Sequence, residues 1–260
     1  MIDASSQDQI AARLLSLRET KQAPLDRSTV PDIGTLTSSV RIATLCMSGE
    51  SPAAWKLGGT TASTRSTFKV EVPYFGPLKA HEVHQNNAQL YRTDFIAPVV
   101  EPEILICLSE DIPPGDVALT PESLFAKLAW VALGLELPDT CLGNAAEAGV
   151  NWLVADRCAA GALIVGEQLP VEQLSELENH GVELTFDDAV VSTAPAGSII
   201  GGVLSAGVAA LSEFASHGIT LNKNQIIATG GLCPAVALPD KTTDVRACLG
   251  PNETGFRFVV

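Results

Sequence analysis

The stretch Val99-Val100-Glu101-Pro102-Glu103-Ile104-Leu105-Ile106-Cys107-Leu108 limits the fold more than any other part of the chain. Apart from two carboxylates and one proline it is apolar throughout, the pattern of a strand buried on both faces. Side chains alternate along a strand, so Glu101 and Glu103 share a face, about 7 Å apart. Two neighbouring acids at the head of a buried strand cannot both stay ionised without compensation. They take up a proton, face water at a solvated rim, or hold a cation. A third acid, Glu136, sits in a second apolar run, Val131-Ala132-Leu133-Gly134-Leu135-Glu136-Leu137-Pro138. Lone acids in such surroundings are rare unless paired or coordinated.

Length and charge narrow the function classes. The 260 residues suffice for one large domain or two modest ones. A formal charge of −14 argues against nucleic acid and against an anionic membrane surface. An acidic substrate would therefore need an imported positive charge, most simply a divalent metal. The cysteines, Cys46, Cys107, Cys141, Cys158, Cys233 and Cys248, form no CxxC pair and several lie in apolar runs. Reduced core thiols and a soluble cytoplasmic protein follow. The first residues, Met1 to Asp8, show no basic stretch followed by an apolar run, so no signal peptide is expected. The charge-free segment from Ser192 to Ser212 is long enough to span a membrane. It is broken by Pro195 and flanked by Asp187, Asp188 and Glu213, so a buried helix is expected there instead.

Periodicity predicts a helix over residues 7–21, a connector containing Pro24 and Pro31, and a second helix over 35–46. A short strand carrying Lys56 runs into Gly58-Gly59, which is no P-loop because no GK[ST] follows. Phe68, Val70 and Val72 alternate with charges as a half-buried strand would, and Pro73 to Leu78 reads as a turn-rich loop. His81-Glu82-Val83-His84 lies among polar residues without a cysteine ligand, and reads as a solvated loop rather than a zinc site. Thr120-Pro121-Glu122 is a helix start, and that helix is expected to continue to about Val131. A strand over 162–165 follows. A hairpin turns at Asp187-Asp188, and a helix over 198–216 is closed by Gly218. A strand at 225–228 enters Thr229-Gly230-Gly231, and an antiparallel pair around residues 245–249 and 256–260 closes the chain.

Lys56-x-Gly, Glu101-Pro-Glu103-Ile, Glu136 after leucine, Val154-Ala-Asp156 and a late Ile-x-Thr229-Gly230 occur in that order. Together they resemble the 2-keto-4-pentenoate hydratase/4-oxalocrotonate decarboxylase branch of the fumarylacetoacetate hydrolase superfamily, over roughly the segment from Trp55 to the C-terminus. The resemblance implies an α+β fold: a mixed β-sandwich roll over residues 54–260, preceded by a smaller helical region over 1–53. It implies that Glu101, Glu103 and Glu136 bind Mg²⁺ or Mn²⁺, leaving positions for water and a chelating 2-oxo acid. Lys56 matches the lysine near the substrate, and Asp156 the acid that supports the site. Thr229, Gly230 and Gly231 match the substrate-contacting loop. A homo-oligomer is implied as well.

Departures from the family pattern bear on the reaction. Where the family has Ala-Asp-Asn-Ala-Ser, the chain has Ala155-Asp156-Arg157-Cys158-Ala159, and Tyr74 replaces the acid of a Pro-Asp-x-Gly loop. Metal binding is untouched, but a hydroxyl and a carboxylate able to handle protons are missing. Arg157, if turned inward, would suit a substrate with a second carboxylate; otherwise it is structural. The leading expectation is a metal-dependent hydratase acting on a short unsaturated 2-oxo or 2-hydroxydienoic acid, as in aromatic meta-cleavage catabolism. The alternatives are a 4-oxalocrotonate-type decarboxylase, a C–C hydrolase using His81 and Glu82 or His84 as its base, and a non-catalytic metal-binding relative.

Overall fold

In the computed structural model, which describes residues 2–21, 25, 31–115 and 119–259, the Glu101 segment is the strand it reads as, Val99–Leu108. Pro24 of the expected connector and Val260 of the last strand lie outside the described residues. The strands in chain order are β1 (Ala54–Gly58), β2 (Tyr74–Leu78), β3 (Val83–Gln85), β4 (Ala88–Tyr91), β5 (Val99–Leu108), β6 (Leu128–Leu137), β7 (Ala162–Val165), β8 (Val182–Phe186), β9 (Ala189–Ala194), β10 (Ile226–Gly231), β11 (Val236–Ala237), β12 (Asp244–Leu249) and β13 (Asn252–Val259). The helices are α1 (Ala4–Thr20), α2 (Leu36–Cys46), α3 (Ala62–Phe68), α4 (Pro121–Phe125), α5 (Ala145–Ala148), α6 (Val150–Ala155), α7 (Leu174–Glu178) and α8 (Val203–Ser216).

The larger sheet runs β2-β1-β10-β5-β6-β7-β3, with β11 added along β5; the smaller runs β4-β13-β12-β8-β9. Both faces of β5 are covered, as its apolar run requires. Ile104, Ile106 and Leu108 join one core with Phe214 of α8 and with Leu184, Val245 and Phe256 of the smaller sheet. Leu105 and Cys107, on the glutamate face, pack against Ala54, Ala132, Leu163 and Ala228. Small residues on that second face let the sheet curl toward it. The curl is measurable: β1 and β6 are three strand spacings apart, about 14 Å in a flat sheet, yet Lys56 of β1 touches Glu136 of β6 at 2.7 Å. Helices α1 and α2 form a separate apolar cluster that recruits Cys141, Leu142, Trp152 and Ala155.

Several local expectations are overturned, among them the solvated loop at 81–84, where residues 83–85 form β3 beside β7 and Glu82 is buried. No strand occupies 68–72. Thr61 caps α3 reciprocally with Thr64, and Lys69 closes that helix in the left-handed region at φ 54. The alternation of Phe68, Val70 and Val72 is coincidental, since Val72 is exposed. The expected loop at 73–78 is instead the wholly buried strand β2, paired antiparallel with β1. Its glycine serves close approach rather than a turn, because a Cβ on Gly76 would lie 2.2 Å from the Arg157 carbonyl oxygen. The helix begun at Thr120 stops at Phe125, for residues 128–137 are claimed by pairing with β5 along its length. Helix α8 begins at Val203 rather than Ser198. The expected helices at 7–21 and 35–46, the hairpin at Asp187-Asp188 and the closing antiparallel pair are present. No helix among the described residues is long and apolar enough to cross a membrane.

Candidate metal centre

Strand pairing assembles the three acids. Glu101 and Glu136 are direct cross-strand partners of β5 and β6, so their side chains leave the same face with Cβ atoms roughly 5 Å apart. Glu103 lies two residues on, on that same face, opposite Gly134. One carboxylate oxygen from each falls within 4.8 Å of the others, and they are the sole such acid, histidine or cysteine group among the described residues. Glu103 and Glu136 are almost fully buried, while Glu101 is half-buried and borders a cavity.

Backbone and side-chain donors aim the ligand oxygens. Lys56 Nζ donates to both oxygens of Glu136, each at 2.7 Å. The Gly230 N–H donates to Glu103 Oε2 at 2.8 Å. That amide lies in the register shift between Ala228, paired with Leu105, and Gly231, paired with Glu103. Gly230 has φ +116, and a Cβ there would lie 1.9 Å from Thr60 Oγ1, so only glycine fits. Thr229 spends its hydroxyl on the Ile104 carbonyl oxygen at 2.8 Å.

Three carboxylates against one ammonium leave two negative charges uncompensated in a buried site. Burial pushes the Glu103 carboxyl well above the ordinary range, with Glu136 and Glu101 adding to the rise and the Gly230 amide and Lys56 opposing it. Glu101 is lifted by burial against the pull of Lys56. Burial also lifts Glu136, to about 8, while Lys56 draws it down. Lys56 itself loses proton affinity through burial but more than regains it from Glu136 and Glu101, and stays charged. A cluster of hard oxygen donors that binds surplus protons is short of positive charge by the amount one divalent cation carries. The donor set fits a hard divalent cation.

The bordering cavity, about 300 Å³, receives Lys56 and Glu101 from the charged cluster. Gly230 and Gly231 line it; Thr229, Asp156 and Arg157 do not. Asp156 is fully buried behind the wall, accepting from Arg18 Nε at 2.7 Å and Thr140 Oγ1 at 2.6 Å. Arg157 turns the other way. Its guanidinium grips Glu82 with two hydrogen bonds of 2.7 Å, which satisfies the alternative that it is structural. His81, Glu82 and His84 line a different cavity, with Arg18 and Arg157. Between the two cavities runs Arg157-Cys158-Ala159, three successive non-glycine residues at φ 52, 55 and 59. Left-handed backbone costs about 1–2 kcal/mol per residue, and the Arg157–Glu82 pair and the hydrogen bond from the Asp139 N–H to the Ala159 carbonyl oxygen (2.7 Å) hold it in place.

Sequence reasoning did not find Tyr74 and Cys158 as cavity residues. Tyr74 sits with its ring over Gly58, where a Cβ would lie 2.2 Å from the ring, and edge-on to Phe68. Its position beside Pro73 reads as a turn, which hid it. Cys158 reaches the cavity only because the left-handed segment rotates it there, something no periodicity signals.

No family model matches the chain. It is 26% identical to a 4-oxalocrotonate decarboxylase of a Pseudomonas species over 183 residues, 70% of this chain and 69% of that relative. It is 22% identical over 249 residues to the 2-keto-4-pentenoate hydratase of Paraburkholderia phymatum, covering 92% of each. Among solved structures, the 4-oxalocrotonate decarboxylase of Pseudomonas putida G7, complexed with magnesium and adipate, superimposes with a TM-score of 0.84 at 18% identity, over all of this chain and 99% of that one.

Proposed function

From a chain that stands, by fold and by kinship, with the hydratase/decarboxylase branch of the fumarylacetoacetate hydrolase superfamily, we propose a divalent-metal-dependent lyase acting on a short unsaturated 2-oxo or 2-hydroxydienoic acid, of the kind formed in aromatic meta-cleavage catabolism. The observation that carries this reading is the buried group of Glu101, Glu103 and Glu136, two charges short of balance and open to a cavity through Glu101. When bound, the cation would supply Lewis acidity toward the 2-oxygen of the substrate.

The residues of the chain divide the remaining work. Glu103, held by the Gly230 amide, and Glu136, held by Lys56, keep their orientation without substrate, so little reorganisation is needed on binding. Lys56 carries a fixed positive charge at the cavity wall and steadies negative charge arriving there. Burial holds the Tyr74 phenol and the Cys158 thiol protonated. Each can donate a hydrogen bond, and neither is a base or an efficient proton donor at neutral pH. Thr60 adds a hydroxyl to the wall, whereas those of Thr64 and Thr140 are engaged with Thr61 and Asp156. The apolar lining keeps other water from the reacting carbons.

Among the described residues lining the cavity, the titratable groups are Lys56, Tyr74, Glu101 and Cys158. None is a histidine–carboxylate pair able to activate water against a carbonyl, which disfavours the C–C hydrolase reading. The free thiols of all six cysteines agree with a reducing, cytoplasmic setting. An ultraviolet assay with 2-hydroxydienoates and oxalocrotonate-type diacids, with and without Mg²⁺, tests the proposal. Loss of the dienoate or enone absorbance only when Mg²⁺ is present is expected; metal binding without consumption of any 2-oxo acid would leave the non-catalytic relative standing.

A further inference from the structure

The wall of the cavity says more about the substrate than the metal ligands do, because it is uncharged beyond them. Away from Lys56 and Glu101 it is built from Phe68, Val99, Pro138, Leu153 and Ala159, with threonine hydroxyls between. Two arginines lie near this wall and neither lines it: Arg157 faces the opposite cavity with both terminal nitrogens on Glu82, and Arg65 of α3 donates its Nε to the Gly59 carbonyl oxygen at 2.9 Å. Lys56, the cation on this wall, is bonded to both oxygens of Glu136. A second carboxylate carried into this space would meet no partner charge, and burying an ionised carboxylate unpaired is strongly unfavourable.

Size points the same way. A volume of about 300 Å³ lies at the lower end of sites that enclose drug-sized ligands and exceeds the needs of a five-carbon acid. The surplus is bounded by apolar side chains.

We infer that the substrate is a monocarboxylic 2-oxo acid with an apolar tail longer than a five-carbon skeleton, and that diacids are rejected. The inference rests on the lyase reading and sharpens it. Adipate, the six-carbon diacid held with magnesium by the Pseudomonas putida decarboxylase, is the kind of ligand this wall does not suit. The rejecting element is the apolar wall at Phe68, Leu153 and Ala159. The cation that would have changed the selection is withheld by Glu82.

Calorimetric titration of the Mg²⁺-loaded protein with three stable acids tests this without relying on turnover. 2-Oxohexanoate and 2-oxoadipate share six carbons and differ in the second carboxylate; 2-oxooctanoate extends the tail by two methylenes. 2-Oxohexanoate is expected to bind at least tenfold tighter than 2-oxoadipate. 2-Oxooctanoate should gain a further roughly tenfold, since each buried methylene contributes about 0.8 kcal/mol. Ala145→Arg, at the half-buried rim of the cavity where a long side chain can be accommodated, should tighten 2-oxoadipate alone. Equal or tighter binding of 2-oxoadipate by the unaltered protein overturns the inference and leaves the lyase reading intact. So does an affinity that falls with the longer tail. If none of the three binds while Mg²⁺ does, the lyase reading and this inference fail together.

Discussion

Two buried ionic clusters lie on either side of the strained segment Arg157-Cys158-Ala159, and they are built to opposite rules. On one side Arg157 meets Glu82 through paired hydrogen bonds, and Arg18 meets Asp156 while also donating to the carbonyl oxygens of Asp139, Asp156 and Ala160. Each of these four charges has an opposite, and the nearby buried Asp139 carboxylate accepts from the Ile96 and Ala97 amides. On the other side three carboxylates share one lysine. The first cluster balances its own charge and holds a loop; the second balances only by taking protons or a cation. Charge balance therefore separates a structural cluster from a binding one more cleanly than burial does, because both are buried.

The sharpest way to break this contrast is to remove one acid from each side. Glu103→Gln keeps an oxygen to accept from the Gly230 amide but removes a metal ligand. Turnover should fall about 10³-fold or more, since a Lewis-acid metal contributes several kcal/mol to such a reaction. Thermal stability should not fall, because one uncompensated buried charge has gone. A variant that keeps full activity, or that unfolds, contradicts the assignment. Glu82→Gln should do the reverse. Stripping one partner from a buried ion pair costs about 3–5 kcal/mol, read as a lower midpoint in urea, while the metal ligands stay in place.

The same pair yields a smaller effect of pH. Burial alone would raise the Glu82 carboxyl, but the hydrogen bonds and charge of Arg157 outweigh it and hold it below its ordinary 4.5. A depressed carboxylate stabilises the fold above its unfolded value and loses that contribution as pH falls through the folded one. The stability gap between the unaltered protein and Glu82→Gln should thus be constant at neutral pH and narrow below about pH 4.5. A gap that widens in acid would show that Arg157 does not hold the proton off.

Much of the metal side was legible in the chain because strand alternation and buried acids are local signals. Glu101 and Glu103 had to share a face, and Glu136 had to answer for its apolar surroundings. The two N-terminal helices, the Asp187-Asp188 hairpin and the closing antiparallel pair follow from equally local patterns; the two-sheet architecture was only what the family resemblance implied. What escaped depended on long-range geometry. Lys56 reaches Glu136 only because the sheet curls, and Arg157 turns away only because three successive residues adopt left-handed backbone. Tyr74 was hidden by a Pro-Gly-Pro neighbourhood that reads as a loop but is a buried strand. Of Thr229-Gly230-Gly231, the two glycines line the cavity, Gly230 also orients Glu103, and the Thr229 hydroxyl serves the backbone.

A divalent cation held by Glu101, Glu103 and Glu136, as proposed, must also stabilise the fold. Thermal denaturation with and without saturating Mn²⁺ tests it most directly, because a ligand at a hundred times its dissociation constant stabilises by about 2.7 kcal/mol. A rise of several degrees is expected in the unaltered protein and none in Glu103→Gln. An equal rise in both, or none in either, would contradict the proposal.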